Sequence, residues 1–300
     1  MPPRPHILVV NGRKVRQPVF IIGAPHSGTD LLGRAIKQSP GFHLTIGQDA
    51  VQSVVYAFAR SPSIQRGRGD AAATVLRDAF AQAWQVTAHC CLTCSAVCRD
   101  AGQVVSPACC VAERDIVRYG DASPDLMYCA DSLVDAFTDA RLVQIIRDGR
   151  DVVAAMLADP LTLGWFKRGM ANVETEFPNP FFGIETDHDL AIWPELSTAA
   201  KCAMRWRGSV RAMARLRATM SAEQLTTLRY EDVLRHPGAT AAGVSDFVGD
   251  AVGPIQVRTA RRDVARDDEP GAWRRTLTPA QLADIESVAG PDLRRVGYLT

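Results

Sequence analysis

Pro18-Val-Phe-Ile-Ile-Gly-Ala-Pro-His-Ser-Gly-Thr-Asp-Leu-Leu-Gly-Arg-Ala-Ile-Lys37 is the stretch that decides the fold. Val19 to Ile22 is a short β-branched and aromatic run bounded by Pro and Gly, as a buried parallel strand requires. Gly23 to Gly28 is a tight loop with two glycines five positions apart, and a helix is expected from about Thr29. Such a loop wraps an anion in backbone N–H groups while the helix presents its positive N-terminal end. The hydroxyls of Ser27 and Thr29 add two more polar contacts. A nucleotide-hydrolysing loop carries Lys directly after its second glycine to reach the β- and γ-phosphates. Here Thr29 and Asp30 follow Gly28, so that lysine is missing.

Working outward, the 300 residues suit one large α/β domain able to bury a sizeable core. The 34 basic and 33 acidic residues leave no charge footprint for nucleic acid or an acidic membrane. No run approaches the roughly 20 apolar residues of a membrane span. Asn11-Gly-Arg-Lys-Val-Arg16 interrupts any apolar signal core behind Met1, so a cytoplasmic location is expected.

Residues 1–17 form an N-terminal extension, with a short strand expected at His6 to Val10 and a turn at Asn11-Gly12. A single domain is expected over 18–300. Strands are expected at Phe42 to Ile46, Ala140 to Ile146 and Leu225 to Tyr230. Helices are expected after Gly47-Gln-Asp49, over Ala71 to Ala88, over Thr198 to Thr219, over Ala241 to Val248 and near Pro279 to Ala289. Strands alternating with helices argue for a central parallel sheet covered on both faces, a three-layer α/β/α arrangement. Ligands of such sheets sit at the carboxyl ends of the strands. The loop at Gly23 and the junction Arg147-Asp-Gly-Arg-Asp-Val-Val153 both lie at such ends, which points to one nucleotide site. Trp165, Phe166, Phe177, Phe181, Phe182 and Trp193 lie among prolines and glycines at about 157–198, a composition that suits a lid or acceptor pocket.

The first loop resembles the 5′-phosphosulfate loop of the sulfotransferase family, with Gly23, Pro25, Ser27, Gly28 and Thr29 matching as they stand. His26 occupies the place of that family's Arg or Lys, and Asp30 that of a hydroxyl. The second junction resembles the family's 3′-phosphate motif. Arg147 matches its Arg, while Ala155 stands where a phosphate-binding Ser falls. Leu228-Arg-Tyr-Glu-Asp-Val233, read as structural, and Gly271-Ala-Trp-Arg274 are similar to two later elements of the family. Arg266 takes the Arg position of the family's late phosphate-binding triplet, with Asp267 and Asp268 replacing Lys and Gly.

The resemblance implies a fold like that of phosphate-loop nucleoside triphosphatases. It implies transfer of a sulfuryl group from 3′-phosphoadenosine-5′-phosphosulfate (PAPS) to a hydroxyl of a small-molecule acceptor, leaving 3′-phosphoadenosine-5′-phosphate (PAP). Such a transfer needs in-line geometry, stabilised oxygens and a base at the acceptor, and that design calls for no divalent metal. His26 would act as imidazolium on the bridging oxygen. Asp49, at the place similar to the catalytic Glu of tyrosyl-type members, is the first candidate for the base, with His43 and Asp121 behind it. A helix cap is the structural alternative for Asp49, and a surface salt bridge the alternative for Arg147. Two rival functions stay open: a non-catalytic nucleotide- or partner-binding protein on the same scaffold, which His26, Ala155 and Asp267-Asp268 favour, and an ATP-dependent phosphotransferase, which the missing lysine disfavours. The sequence is also compatible with a homodimer.

Six of the eight cysteines fall between 90 and 110, in an insert at about 88–112. Clustering of this kind in a reducing compartment argues for metal or bare thiols before disulfides. Cys91-x-x-Cys94 with Cys98 and Cys109 would supply four thiolates for a structural zinc. Bare buried thiols and a disulfide formed on air oxidation are the alternatives, and Cys129 and Cys202 read as ordinary core residues.

Overall fold

A computed structural model describes residues 7–66, 69–104, 109–167, 170–255 and 269–300. Arg266 and its neighbours Asp267 and Asp268 lie outside the described residues.

The chain opens with a hairpin, β1 (Val9–Val10) and β2 (Arg13–Lys14), turned at Asn11 and Gly12 with φ of 51° and 71°. Two successive positive φ values fit the twist of a two-residue hairpin, and Asn-Gly is the pair that adopts them most readily. Asn11 Nδ2 then donates to the Trp84 carbonyl at 2.9 Å, which pins the extension to the domain.

Five parallel strands form the sheet: β3 (Val19–Gly23), β4 (Phe42–Thr45), β5 (Arg118–Asp121), β6 (Arg141–Ile146) and β7 (Leu225–Arg229). Their spatial order is β4-β5-β3-β6-β7, with β3 in the centre. Val19 pairs with Arg141 and Gly23 with Ile145, so β3 and β6 end side by side. The chain passes from β3 out to the β4 edge, and after β5 it crosses β3 to β6. That reversal places the ligand crevice of an open parallel sheet at the carboxyl end of β3.

Every residue of β3 is buried, and the pleat sends alternate side chains into two cores. Val19 and Ile21 meet Leu32 and Ile36 of α1 (Thr29–Lys37). Phe20 and Ile22 face the opposite core, where Phe20, Phe80, Trp84 and Phe137 pack with ring centroids 5.0–6.1 Å apart. Each fully buried aromatic of this kind contributes about 1.5–3 kcal/mol from apolar burial. The second core is covered by α2 (Asp49–Arg60), α3 (Gly69–Ala83) and, beyond the insert helix α4 (Ala96–Ala101), by α5 (Ala130–Ala136) and α6 (Gly149–Ala158). The short α7 (Pro160–Gly164) and α8 (Asp187–Ile192) lead into α9 (Thr198–Thr219) on the same side. On the α1 side lie α10 (Tyr230–Arg235) and α11 (Pro237–Val248). A closing helix, α12 (Pro279–Arg295), packs along α9. The result is the three-layer α/β/α fold expected from the strand–helix alternation. No helix among the described residues is long and apolar enough to cross a membrane.

Three elements differ from expectation. The helix after Gly69 ends at Ala83, because the Trp84 indole turns to the Gly120 carbonyl (3.0 Å) and the Val86 amide to Asn11 (2.9 Å). β5 was not expected; Arg118-Tyr-Gly-Asp121 lacks an apolar run and is a strand through pairing with β3 and β4 on either side. The closing helix runs six residues beyond Ala289, through Pro291, as Asp292 accepts from Arg211 of α9 at 2.9 Å.

Candidate functional site

The carboxyl end of β3 explains both loop glycines. A Cβ on Gly23 would lie 2.4 Å from Ser27 Oγ and 2.7 Å from the Ile145 carbonyl, so the loop can close against β6 only without one. Gly28 caps α1 at φ +96°, and a Cβ there would meet the Tyr230 ring at 2.4 Å. Ser27 is fully buried, and its hydroxyl donates to the Ala24 carbonyl at 2.6 Å. Its backbone N–H bonds the same oxygen at 3.1 Å. Ser27 therefore shapes the loop from inside, while Pro25, His26, Gly28, Thr29 and Asp30 face an adjoining cavity of about 610 Å³.

Arg147 leaves the end of β6 and is buried. Its Nη1 donates to the His26 carbonyl at 2.9 Å, and its guanidinium lies 4.5 Å over the Tyr230 ring. Arg147 also lines the cavity, so the residue that braces the loop borders the space beside it. His26 itself takes φ of 60°, and its Nε2 lies 3.3 Å from Asp159 Oδ2. Asp159 in turn caps α7, accepting from the Leu161 and Thr162 amides at 3.0 and 3.2 Å. Burial pushes its carboxyl up, but the Thr162 hydroxyl, these amides and the charge of His26 outweigh burial and hold it below the ordinary range. Asp151, one turn into α6, accepts from the Gly271 and Trp273 amides at 2.7 and 2.9 Å. The late Gly-x-Trp element is thereby fastened to the second junction.

The far end of the cavity is built from separate segments. Arg205 of α9 and Asp125 form a buried ion pair at 2.8 Å, with Arg205 4.0 Å over the Phe181 ring. Tyr56 of α2 and Trp165 pack beside them with tilted rings, 5.3 Å between centroids. Burial, followed by the Asp125 charge, pushes the Tyr56 hydroxyl up to about 12, so it stays protonated at neutral pH.

Several expectations require correction. Asp49 does not border the cavity: Gln48 caps α2 with its side-chain oxygen, which leaves Asp49 as the first helical residue with its side chain exposed. The cavity carboxylates are Asp30, Asp125 and Asp159. Ala155 lies on α6 outside the lining. Of the aromatic segment, residues from Asp159 to Trp165 reach the cavity, whereas Phe181, Phe182 and Trp193 pack into a separate core with Met204. Asp121 is fully buried behind the loop. Burial pushes its carboxyl up to about 7, against the hydrogen bonds from Thr45 (2.5 Å) and Ser123 (2.7 Å).

The cysteine insert lies on α1. Arg34 pairs with Asp100, Gln38 donates to the Ala101 carbonyl at 3.2 Å, and Ser95 and Val97 line the cavity. All eight cysteines are free thiols, with Cys129 and Cys202 fully buried. The quartet Cys91, Cys94, Cys98 and Cys109 is not brought together. Cys94 and Cys98 stand one helical turn apart and pair with each other, and the Cys94 hydrogen bond, with the Lys37 charge behind it, pulls the Cys98 thiol down to about 6 against burial. Cys109 instead gathers with Cys90 and Cys91, and with His43 and Cys110.

A buried strand, a glycine-bounded anion loop and an arginine from the next strand end define a phosphate-loop α/β protein. The family described as Sulfotransferase family matches residues 18–177, more than half of the chain, and the chain belongs to that family. No curated relative matches the sequence. Among solved structures, the sulfotransferase domain of the Synechococcus PCC 7002 olefin synthase is similar at TM-score 0.48 and 16% identity, covering 92% of this chain and 94% of that one. A sulfotransferase from Alicyclobacillus acidocaldarius gives 0.48 and 14%, covering 94% of each chain. A mouse sulfotransferase in complex with PAP gives 0.46 and 12%, covering 96% and 88%.

Proposed function

We propose that this protein transfers the sulfuryl group of PAPS to a hydroxyl of a small-molecule acceptor. The observation that carries the reading is the meeting of the Gly23–Gly28 loop and Arg147 at one cavity, at the adjacent ends of β3 and β6. The amides at the start of α1 and Thr29 would hold the leaving 5′-phosphate, where the helix N-terminus favours negative charge. Arg147 would face the 3′-phosphate, a planar fork suited to phosphate oxygens. His26, oriented by Asp159, would donate to the bridging oxygen as the S–O bond breaks. The acceptor hydroxyl would enter between Tyr56, Trp165 and the Asp125–Arg205 pair. Of the three cavity carboxylates, Asp30 sits on the loop helix and Asp159 holds His26, which leaves Asp125 to take the hydroxyl proton.

The test is calorimetric titration with PAP, with ATP as control and Arg147→Gln beside the native protein. Binding of PAP with ATP ignored, and affinity reduced at least tenfold in Arg147→Gln at unchanged fold, is the expected result. Failure to bind PAP would overturn the donor assignment.

A further inference from the structure

His43 is the third titratable side chain that β4 and its surroundings bury without an evident purpose, after Lys37 and Asp121. Its neighbours Phe42 and Leu44 point into the α1-side core, so the pleat turns His43 to the other face, edge-on to Tyr119 at 5.9 Å. It is 4% exposed, and among the described residues neither ring nitrogen has a well-formed hydrogen-bond partner, the Cys110 thiol being the polar group beside it. A neutral imidazole carries one donor and one acceptor, and leaving both unmet in a buried site is costly. The polar atoms that stand beside it are two sulfurs. His43, Cys109 and Cys110 place their ligand atoms within 4.8 Å of one another, and Cys109 lies equally near Cys90 and Cys91.

We propose that His43, Cys109 and Cys110, with a fourth thiolate from the Cys90–Cys91 pair, hold a structural zinc ion. Donors about 2.0–2.3 Å from a common tetrahedral ion stand roughly 3.5–3.8 Å apart. Within the His43–Cys109–Cys110 triad the ligand atoms need close by only about 1 Å, and the fourth thiolate must swing in from the Cys90–Cys91 turn that meets the triad at Cys109. A site of three thiolates, one imidazole and a dication carries a net negative charge, and the fold supplies its counter-charge. Lys37, nine-tenths buried, donates from Nζ to Cys110 Sγ at 3.1 Å and to the Leu44 carbonyl at 2.8 Å. Hydrogen bonding to a ligating sulfur is the outer-shell contact such sites use to steady their ligands.

The site ties three segments that share no continuous secondary structure: edge strand β4, the turn at Cys90–Cys91, and the return of the insert at Cys109–Cys110. Between the last two runs α4, whose preceding Ser95 and own Val97 wall the cavity. Zinc would thus set the position of one cavity wall without touching the reacting atoms. The spacing Cys91-x-x-Cys94 misdirects because the 3₁₀ turn over Cys90–Thr93 and the cap at Ser95 carry Cys94 and Cys98 under α1, away from Cys109.

The experiment uses the full chain with any purification tag removed. Elemental analysis should find one zinc per chain. Replacement by Co(II) should give thiolate-to-cobalt charge-transfer absorption and the ligand-field bands of a tetrahedral site. His43→Ala and Cys109→Ser should each weaken zinc at least tenfold in chelator competition, while Cys94→Ser and Cys98→Ser leave it unchanged. Native protein with no zinc even after incubation with excess ion, all eight thiols titrating in denaturant, would overturn the proposal. So would native protein whose Cys90, Cys91, Cys109 or Cys110 is found in a disulfide. Equal loss of zinc in Cys94→Ser and Cys98→Ser would also overturn it. The native stoichiometry decides by itself should a ligand variant fail to fold.

Discussion

Asp121 makes the stability of this protein depend on pH in a calculable direction. Its side chain is fully buried at the end of β5, and burial raises its folded-state value to about 7. The unfolded chain releases the same proton near pH 4. Between those values the native state holds a proton that the unfolded state has lost, so unfolding becomes easier as pH rises. Each such pH unit costs about 1.4 kcal/mol, and the window from about 4 to 7 therefore removes about 4 kcal/mol, a large share of the roughly 5–15 kcal/mol typical of a domain. Asp121→Asn should abolish the effect. Its amide oxygen can still accept from the Ser123 amide, and its NH₂ can donate to Thr45 Oγ1, reproducing the protonated acid. Urea titrations at pH 5, 6, 7 and 8 would show native stability falling with pH and the Asn variant falling less. The two should differ by about 1.4 kcal/mol at pH 5 and by about 4 kcal/mol at pH 8. A variant whose slope matches that of the native protein would refute the assignment.

His26→Arg places a permanent cation in the loop and should tighten PAP or raise kcat about fivefold, the worth of about 1 kcal/mol from a stronger charge-assisted bond; a tenfold loss in calorimetry or rate would show that the contact with Asp159 matters more than charge. Asp125→Asn should lower kcat/KM about 10²–10⁴-fold with PAP affinity intact, and a parallel loss of PAP binding would sink its role at the acceptor. Gly28→Ala forces a side chain onto a left-handed position and into the Tyr230 ring, so denaturation should show a loss of about 2–4 kcal/mol, with PAP binding weakened at least tenfold. A folded Gly28→Ala that binds PAP normally would contradict the loop geometry.

The donor half of the cavity was legible because its determinants are local. A buried strand, two glycines and a helix start lie within a dozen residues, and Arg147 follows its strand directly. The ends of α9, expected at Thr198 and Thr219, were likewise local, with Ser197 capping the first turn at 3.1 Å. The acceptor half was not legible. Asp125 and Arg205 are 80 positions apart, and His26 and Asp159 meet only because α6 carries the chain back across the loop. Asp49 holds a matching position in sequence, yet with Gln48 as the cap its side chain is exposed. The cysteines were misgrouped for the same reason: spacing reports separation along the chain, whereas Cys109 meets Cys90 through a loop closure that spacing does not encode.

Tyr230 shows why a residue read as structural belongs to the site. It follows β7, the edge strand, and its ring lies between the Gly23–Gly28 loop and Arg147. One edge fills the space a side chain at Gly28 would need, and the Arg147 guanidinium rests 4.5 Å over its face. The aromatic face attracts the cation without competing for its N–H donors, so Arg147 is held over the ring while its Nη1 donates to the His26 carbonyl. Loop, arginine and tyrosine come from the ends of β3, β6 and β7, three strands locked in register by continuous hydrogen bonding. A shift in any one would displace the others, so the donor end is as rigid as the sheet itself. The acceptor end has no such backing. It rests on α7, on Tyr56 of α2 and on Ser95 and Val97 of the insert, none of which belongs to the sheet. Under the proposed function, change in acceptor is therefore cheaper on this scaffold than change in donor, because only the loop–Arg147–Tyr230 end is tied to strand register.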